Sequence, residues 1–195
     1  MGLFSRGLRS PSRIRHNGKR VSEILELHQK FFRREPGGVR ADLSGADLSR
    51  ADLSKANLTD GILKGARLEG ANLRWAKLVR ADLSGANLRG VDLRSADMTD
   101  AVLPGADLTE AQASGIEFFR CEMSNVIFHR ANLRNANFRG ANVRGADFAG
   151  ADLNVTILRE TDLTGVNLAN ADLTTALLPP NYTPPAEEKQ TAISK

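Results

Sequence analysis

The sequence is poor in the residues that build disulfides, metal clusters and large aromatic cores. Its 195 residues include one cysteine and three histidines, and aromatic side chains make up 5% of the chain. A single cysteine excludes an intramolecular disulfide and a cysteine-based metal cluster. His16, His28 and His129 also lack the spacing of metal ligands. We therefore expect no metal, no cofactor, and a core built from many small aliphatic side chains.

Long apolar runs are also missing, and positive charge is concentrated at one end. No stretch approaches the roughly 18 apolar residues of a membrane-spanning helix, which predicts a cytoplasmic protein, with peripheral attachment to a membrane as an alternative. Residues 1–40 carry ten Lys/Arg against three Asp/Glu, whereas residues 41–180 carry fifteen against eighteen. The net positive charge of the chain therefore belongs to its first forty residues.

From Ala41 to residue 180 the chain divides into 28 consecutive five-residue units without an insertion, beginning ADLSG ADLSR ADLSK ANLTD. Of the 56 first and third positions, only Gly61, Thr156 and Thr161 are not apolar. A helix would spread these positions around its whole circumference, and a continuous strand would swap its faces at every odd repeat. Each unit is therefore predicted to be a short extended segment, with its first and third residues inward and its second outward, followed by a two-residue corner.

A longer period indicates how many units close one coil. Glycine or asparagine occupies the fifth position of every fourth unit, from Gly45 to Gly165 in steps of twenty residues. These residues tolerate the positive φ that a type II turn requires. Charges of opposite sign also recur every twenty residues, as in Asp60, Arg80, Asp100 and Arg120. The sequence thus predicts about seven coils of four sides each.

The tandem A(D/N)Lxx units at 41–60, 81–90, 131–140 and 171–175 resemble those of the pentapeptide-repeat family. The resemblance covers residues 41–180 and implies an all-β fold, a right-handed quadrilateral parallel β-helix; the handedness comes from the resemblance alone. Members that protect topoisomerases characteristically add a C-terminal helical dimerisation segment. The Pro-rich stretch at 179–185 does not resemble one, so we expect a monomer or a weak end-to-end dimer.

The segments outside the repeats are predicted to protect the ends of the solenoid. Helical spacing within 21–34 and the Pro36-Gly37-Gly38 stop predict a capping α-helix and turn over 21–38. Its Phe31 and Phe32 are expected to press onto Leu43 and Leu48; a partner-binding helix is the alternative. Residues 181–195 are predicted to form a Pro-rich exit and a disordered tail, with Tyr182 folded over the last coil.

Residues 1–20 contain six Lys/Arg and no acidic residue. The composition predicts a basic flexible tail. The alternatives are a segment lying on anionic lipid or nucleic acid, without sequence-specific nucleic acid binding, and an organelle-targeting segment. The residues expected to contact a membrane or another anion are Leu3, Phe4, Arg6, Arg9, Arg13 and Arg15.

The repeats indicate a binding protein and no enzyme. The acidic residues stand at outward positions in solvent, and the sequence contains no Ser–His–Asp arrangement or phosphate-cradling loop, so we expect no catalytic residue. The predicted function is a rigid scaffold that presents flat faces to a protein partner of unknown identity. The outward apolar residues expected to contact it are Ile157, Leu177, Phe119, Val79 and Trp75.

Two alternative functions are open at this point. The family resemblance implies a DNA mimic acting on a type II topoisomerase such as DNA gyrase, although the mixed charges of the repeats imitate a duplex poorly. The basic N-terminal segment suggests instead a membrane-surface adaptor. Cys121 replaces the usual alanine of an inward first position, and is expected to be buried and inert.

Overall fold

The computed structural model describes residues 7–182. It comprises a cap over residues 7–40 and a solenoid of seven coils, with coil 1 at 41–60 and coil 7 at 161–180. The cap contains a 3-10 helix at Pro11–Arg13, strand β1 at Arg15–His16, strand β2 at Lys19–Arg20 and helix α1 at Val21–Phe32. The predictions for Leu3, Phe4 and Arg6, and for residues 183–195, lie outside the described residues.

Each five-residue unit of the solenoid contributes one pairing position. The second residue of a unit pairs in parallel with the second residue twenty positions later, from Asp42 with Ile62 to Ile157 with Leu177. Pairs of this separation occur on all four sides, while the first and third residues of the units form one continuous buried core. The prediction of a parallel solenoid with four sides per coil is confirmed.

The outward second residue stabilises the turn of its own unit. The Ser44 N–H donates to Asp42 Oδ1 at 3.0 Å, and the same contact of residue i with residue i+2 recurs on every side. A short polar side chain that accepts a backbone N–H two residues later replaces a backbone partner at a bend. The Asp and Asn residues at these positions therefore serve the backbone first.

The corners differ from the sequence prediction. Positive φ was expected at the corner that carries glycine, but every fifth residue from 45 to 170 has it, including Lys55 at 60° and Trp75 at 55°. At each corner a β-turn forms, as when the Ala46 N–H donates to the Leu43 carbonyl at 3.0 Å, and residue 45 is its second central residue. The backbone of the turn, rather than the identity of the residue, sets the conformation.

Aromatic side chains fill the middle of the solenoid from two opposite sides. Phe118 packs on Phe138 along the fourth side with its ring tilted by 33° and 5.0 Å between centroids, and Phe128 stacks on Phe148 along the second side at 4.8 Å. Edge contacts of 5.7–5.9 Å join the two columns. All four rings are buried, as expected for a core whose girth increases in its midsection.

Polar side chains occupy three inward first positions, and all three satisfy their buried donor group in the same way. Each side chain donates a hydrogen bond to the backbone carbonyl 23 residues earlier. That carbonyl already accepts a turn N–H, and its second lone pair accepts the side-chain donor. These bonds join Cys121 to Met98, Thr156 to Leu133 and Thr161 to Phe138, at 2.8, 3.0 and 2.8 Å.

The cap corrects the prediction of a flexible tail for residues 7–20. Arg9 pairs in parallel with Ala51 on coil 1, and Ile14 is 1% exposed within the main core. The Asn17-Gly18 turn, with φ of 48° and 79°, closes the β1–β2 hairpin. Residues 7–20 are ordered because Ile14 is anchored in the core and Asn17-Gly18 forms a favoured hairpin turn. Their basic composition alone suggested a tail.

Helix α1 covers coil 1 with the first part of its apolar stripe, and not with the two phenylalanines at its end. Its inward side chains are Val21, Ile24 and His28, whereas Phe31 is 42% exposed, so the predicted contact of Phe31 with the first coil is wrong. The spacing of 21, 24 and 28 makes one helical stripe, and Phe31 lies beyond it. Its ring stacks on His28 at 6.1 Å, and Phe32 meets His28 edge-on at 5.0 Å.

The C-terminal end of the solenoid is more open than its N-terminal end. Within the described residues, Asp162 on the first side of coil 7 makes no bridge to Asn142. Leu173 and Leu178 are only partly buried. Tyr182 packs against the core, and its N–H donates to the Pro179 carbonyl at 3.1 Å, which confirms the prediction that it folds over the last coil.

Candidate functional site

The five apolar residues that the sequence indicated as partner contacts all border one side of the solenoid. We call this side the fourth face; it consists of the fourth unit of each coil, from 56–60 to 176–180, and the corner residue before each unit. Ile157 and Leu177 lie along its middle, where coils 6 and 7 pair. The remaining three lie at its edges, Trp75 at the leading corner and Val79 and Phe119 at the trailing corner.

Three of the outward apolar residues of this face form one cluster, which we call the apolar patch: Val155, Ile157 and Leu177. Ile157 pairs with Leu177 in parallel, and the Leu177 N–H donates to the Thr156 carbonyl at 2.8 Å. Val155 is 46% exposed and Leu177 is 42% exposed, while Ile157 is half-buried. The backbone pairing thus fixes an aliphatic surface that remains open to solvent.

Val155 was not among the contact residues predicted from the sequence, although a β-branched residue at a corner position is unusual. It is a β-branched residue at a corner, and its φ of 60° belongs to a region that β-branched residues rarely occupy. Its N–H donates to Thr175 Oγ1 at 2.9 Å. The corner is therefore held from coil 7 while the side chain points outward beside Ile157.

The structure does not bring the other three predicted residues into the patch. Trp75 lies in coil 2, four coils away, with its ring covered by Arg74 at 4.3 Å and by the Lys55 ammonium at 5.7 Å. It is 48% exposed at the third corner. Phe119 lies beneath the Arg120 guanidinium at 4.8 Å, and Val79 is half-buried in coil 2.

Charged residues at the trailing corner of the fourth face pair with one another along the solenoid. Arg80 contacts Asp60 with two hydrogen bonds of 2.7 Å, and Arg120 makes the same contact with Asp100 at 2.8 Å. The hydrogen bond from Arg80 holds the pKa of Asp60 below its usual range. These pairs confirm the predicted charge ladder and its twenty-residue register, and each contributes little stability because it is exposed.

The acidic residues offer no group tuned for proton transfer. Each carboxyl whose pKa is shifted within residues 7–182 is shifted downward, as at Asp42 and Asp172, where the hydroxyls of Ser44 and Thr174 stabilise the charged form. A general acid at neutral pH needs the opposite shift. Over the same residues no group of three or more His, Cys, Asp or Glu side chains has the arrangement of a metal site.

Helix α1 is too short to cross a bilayer, and no other part of the described chain forms a long apolar helix that would. Cys121 is 1% exposed, and burial raises the pKa of its thiol to about 12. Its predicted burial is confirmed, and the raised pKa opposes the formation of the reactive thiolate.

Comparison with known proteins agrees with this architecture. A family model described as pentapeptide repeats matches residues 39–74, 76–112, 116–154 and 141–178. A trypsin-treated variant of QnrB1, described as a plasmid-mediated fluoroquinolone resistance protein, is 26% identical over 71% of this chain and 70% of that chain, with a TM-score of 0.67.

HetL, a pentapeptide repeat protein involved in heterocyst differentiation regulation in the cyanobacterium Nostoc sp. strain PCC 7120, is 24% identical. The match covers 82% of this chain and 98% of that chain, with a TM-score of 0.37. A search of curated protein sequences gives no match. The repeats, the four-sided coils and the family match lead to one conclusion: the chain belongs to the pentapeptide repeat family and folds as a right-handed quadrilateral β-helix.

Proposed function

We propose that this protein is a non-enzymatic scaffold that binds a protein partner through the apolar patch of the fourth face. The observation that carries the proposal is the parallel backbone pairing of Ile157 with Leu177, which places two outward aliphatic residues on neighbouring coils close to the exposed Val155 in the chain. Burying aliphatic surface against a partner is favourable in proportion to its area. The paired backbone also keeps the ordering cost of binding low.

The test replaces the patch with a pair that the solenoid already contains. In coils 6 and 7 the second side carries Asp147 and Asn167, joined by a 2.9 Å hydrogen bond. Ile157→Asp with Leu177→Asn copies that pair onto the fourth face and leaves the inward residues untouched. We expect the variant to fold with an unchanged circular dichroism spectrum and to lose at least about tenfold in affinity for the partner.

Ile127→Asn is the matched control, because Ile127 is a half-buried outward residue at the same position of a unit on the second side. Partners are identified by comparing quantitative capture on the wild type, the patch variant and the control, and then confirmed with purified proteins. A partner whose affinity falls on the patch variant alone supports the proposal. Equal affinities for the patch variant and the wild type would contradict it.

The similarity to QnrB1 favours a second candidate, action as a DNA mimic on a type II topoisomerase such as DNA gyrase. The charge arrangement argues against it, because acidic residues of the third side are neutralised locally. Asp92 contacts Arg94 at 2.6 Å and Asp152 contacts Arg134 at 3.3 Å, whereas duplex DNA carries about one negative charge per 1.7 Å.

A supercoiling assay decides between the two candidates. Protection of DNA gyrase from a fluoroquinolone at stoichiometric protein would establish the DNA-mimic function. We expect no protection, because the faces lack a continuous acidic stripe.

A further inference from the structure

The β1–β2 hairpin of the cap places two arginines opposite each other. Its register places Arg15 opposite Arg20 and His16 opposite Lys19. Like charges in directly opposed positions destabilise a strand pair. Within the described residues, the ion pairs of the cap involve Arg9, Lys30 and Arg33, and those of the solenoid are separate from the hairpin. Arg15, Lys19 and Arg20 therefore make no ion pair within the described residues, although the Glu23 carboxylate accepts the Arg20 N–H at 3.0 Å.

Apolar residues adjoin this positive charge. A half-open cavity of 180 Å³ is bordered by the cationic side chains of Lys19 and Arg40, with His16, and its apolar wall consists of Ile24, Leu27 and Val39. Val39 is 52% exposed, and its N–H donates to the Leu27 carbonyl at 3.0 Å, which ties it to helix α1. The surface thus combines cations with accessible aliphatic groups.

One carboxylate also borders the cavity, and it is already engaged. Asp42 Oδ1 accepts hydrogen bonds from the Ser44 N–H at 3.0 Å and the Ser44 hydroxyl at 2.6 Å. The carboxylate is therefore turned toward its own corner, and one negative charge does not offset the cations of the cap. The net charge of this end of the molecule remains positive.

This surface lies at the N-terminal end of the solenoid. The cap closes coil 1, where the Ala41 N–H donates to His28 Nδ1 at 3.0 Å and Ile14 enters the core. The hairpin side chains are exposed to solvent beyond this closure. A flat surface docked on the cap would leave all four faces of the solenoid free, including the apolar patch five coils away.

We propose that the cap binds the surface of an anionic phospholipid bilayer, with Arg15, Lys19 and Arg20 at the headgroup phosphates and Val39 at the acyl boundary. Basic residues beside aliphatic ones are typical of peripheral lipid contact. Binding of single-stranded nucleic acid would instead call for aromatic faces on which bases stack, and a duplex, bound mainly through its phosphates, offers no apolar layer for Val39. The lipid contact thus resides in the folded cap, and it is independent of the partner proposed for the fourth face.

The test uses the full chain and vesicles of phosphatidylcholine with or without phosphatidylserine. Arg15→Glu with Lys19→Glu replaces the Arg15–Arg20 like-charge pair with an opposite-charge pair and places a carboxylate opposite His16, so the fold is expected to be retained, as thermal unfolding will verify. Each basic residue near an anionic surface contributes about fivefold to the partition coefficient. We therefore expect binding to the anionic vesicles to fall at least about 25-fold, and to fall with added salt.

Arg144→Glu with Arg159→Glu is the matched control, since it changes the net charge equally on exposed residues of coil 6. We expect the control to bind like the wild type and Val39→Ser to bind more weakly. The proposal is overturned if both charge variants lose binding equally, if the anionic vesicles are not bound, or if a DNA duplex binds while the vesicles do not. It is also overturned if Leu3→Ser with Phe4→Ser abolishes binding while the hairpin variant retains it.

Discussion

At the scale of the residue, each position of a five-residue unit has its own task. The first and third residues fill the core, the second accepts a turn N–H, as Asp42 does from Ser44 at 3.0 Å, and the fifth adopts positive φ. The first task and the outward direction of the second residue could be predicted, because apolar and polar residue types separate cleanly. The third could not, because Arg, Lys and Trp occupy the same left-handed corner as glycine.

Val155 gives a direct test of that corner. A β-branched side chain at φ 60° is strained, and Val155→Gly relieves the strain while adding freedom to the unfolded chain. The two effects leave a net gain of about 0.5–1 kcal/mol in the free energy of unfolding, measured by urea denaturation. Asn135→Gly, at the same corner one coil earlier, is the control and should change stability little, because asparagine tolerates this conformation.

Val155→Gly also tests whether the backbone strain at this corner serves partner binding. If Val155 is kept for the apolar patch, Val155→Gly binds the partner more weakly although it is more stable. A loss of stability in Val155→Gly would contradict the account of the corner.

Cys121 gives a second test at this scale. Burial and a thiol pKa of about 12 leave almost no thiolate at neutral pH. We expect the native protein to resist an aromatic disulfide reagent and to react with one equivalent only after denaturation. Rapid stoichiometric labelling of the native protein would show that the coils open near Met98, whose carbonyl accepts the thiol.

At the scale of the element, the cap shows where composition misleads. The spacing of apolar residues predicted helix α1, and the helix is present at Val21–Phe32. Its inward stripe runs through Val21, Ile24 and His28, because the two phenylalanines fall past the last residue that reaches coil 1. The hairpin before it was missed, although Asn17-Gly18 is a favoured turn pair, since six basic residues in the first twenty suggested a tail.

His28 makes the cap sensitive to pH. Its side chain is fully buried, and Nδ1 accepts the Ala41 N–H. Burial lowers its pKa below the ordinary value, and Arg40 acts in the same direction, whereas the Thr59 backbone and, more weakly, Asp60 act in the opposite one. The unfolded chain therefore binds the proton more readily than the folded chain as the pH falls below about 6.5.

We expect the free energy of unfolding to be level above about pH 7 and to fall by up to about 1.4 kcal/mol per pH unit below about pH 6.5. His28→Asn keeps an acceptor for the Ala41 N–H but does not titrate, so its stability should be lower overall and flatter between pH 7.5 and 5.5. His16→Gln, at the half-buried histidine of the hairpin, is the control for removing a histidine elsewhere in the cap. An unchanged slope in His28→Asn would show that another group is responsible.

At the scale of the whole molecule, the coils make a straight, rigid column. Seven coils spaced at about 4.8 Å give a length of about 34 Å, and parallel pairing every twenty residues holds each coil to the next. The twenty-residue period was enough to predict that Ile157 and Leu177 are neighbours. It could not predict the contribution of Val155, whose exposure follows from the direction of a corner residue, nor which of the four faces a partner selects.

The most direct test of the scaffold account is site-specific photo-crosslinking in the host cell. A photoreactive amino acid at position 177 should give one discrete, saturable adduct with a single protein, and position 157 should give the same adduct. Position 127, on the second side, should give none. Adducts of equal yield at all three positions, or none at 157 and 177, would contradict the assignment of the fourth face as the partner-binding surface.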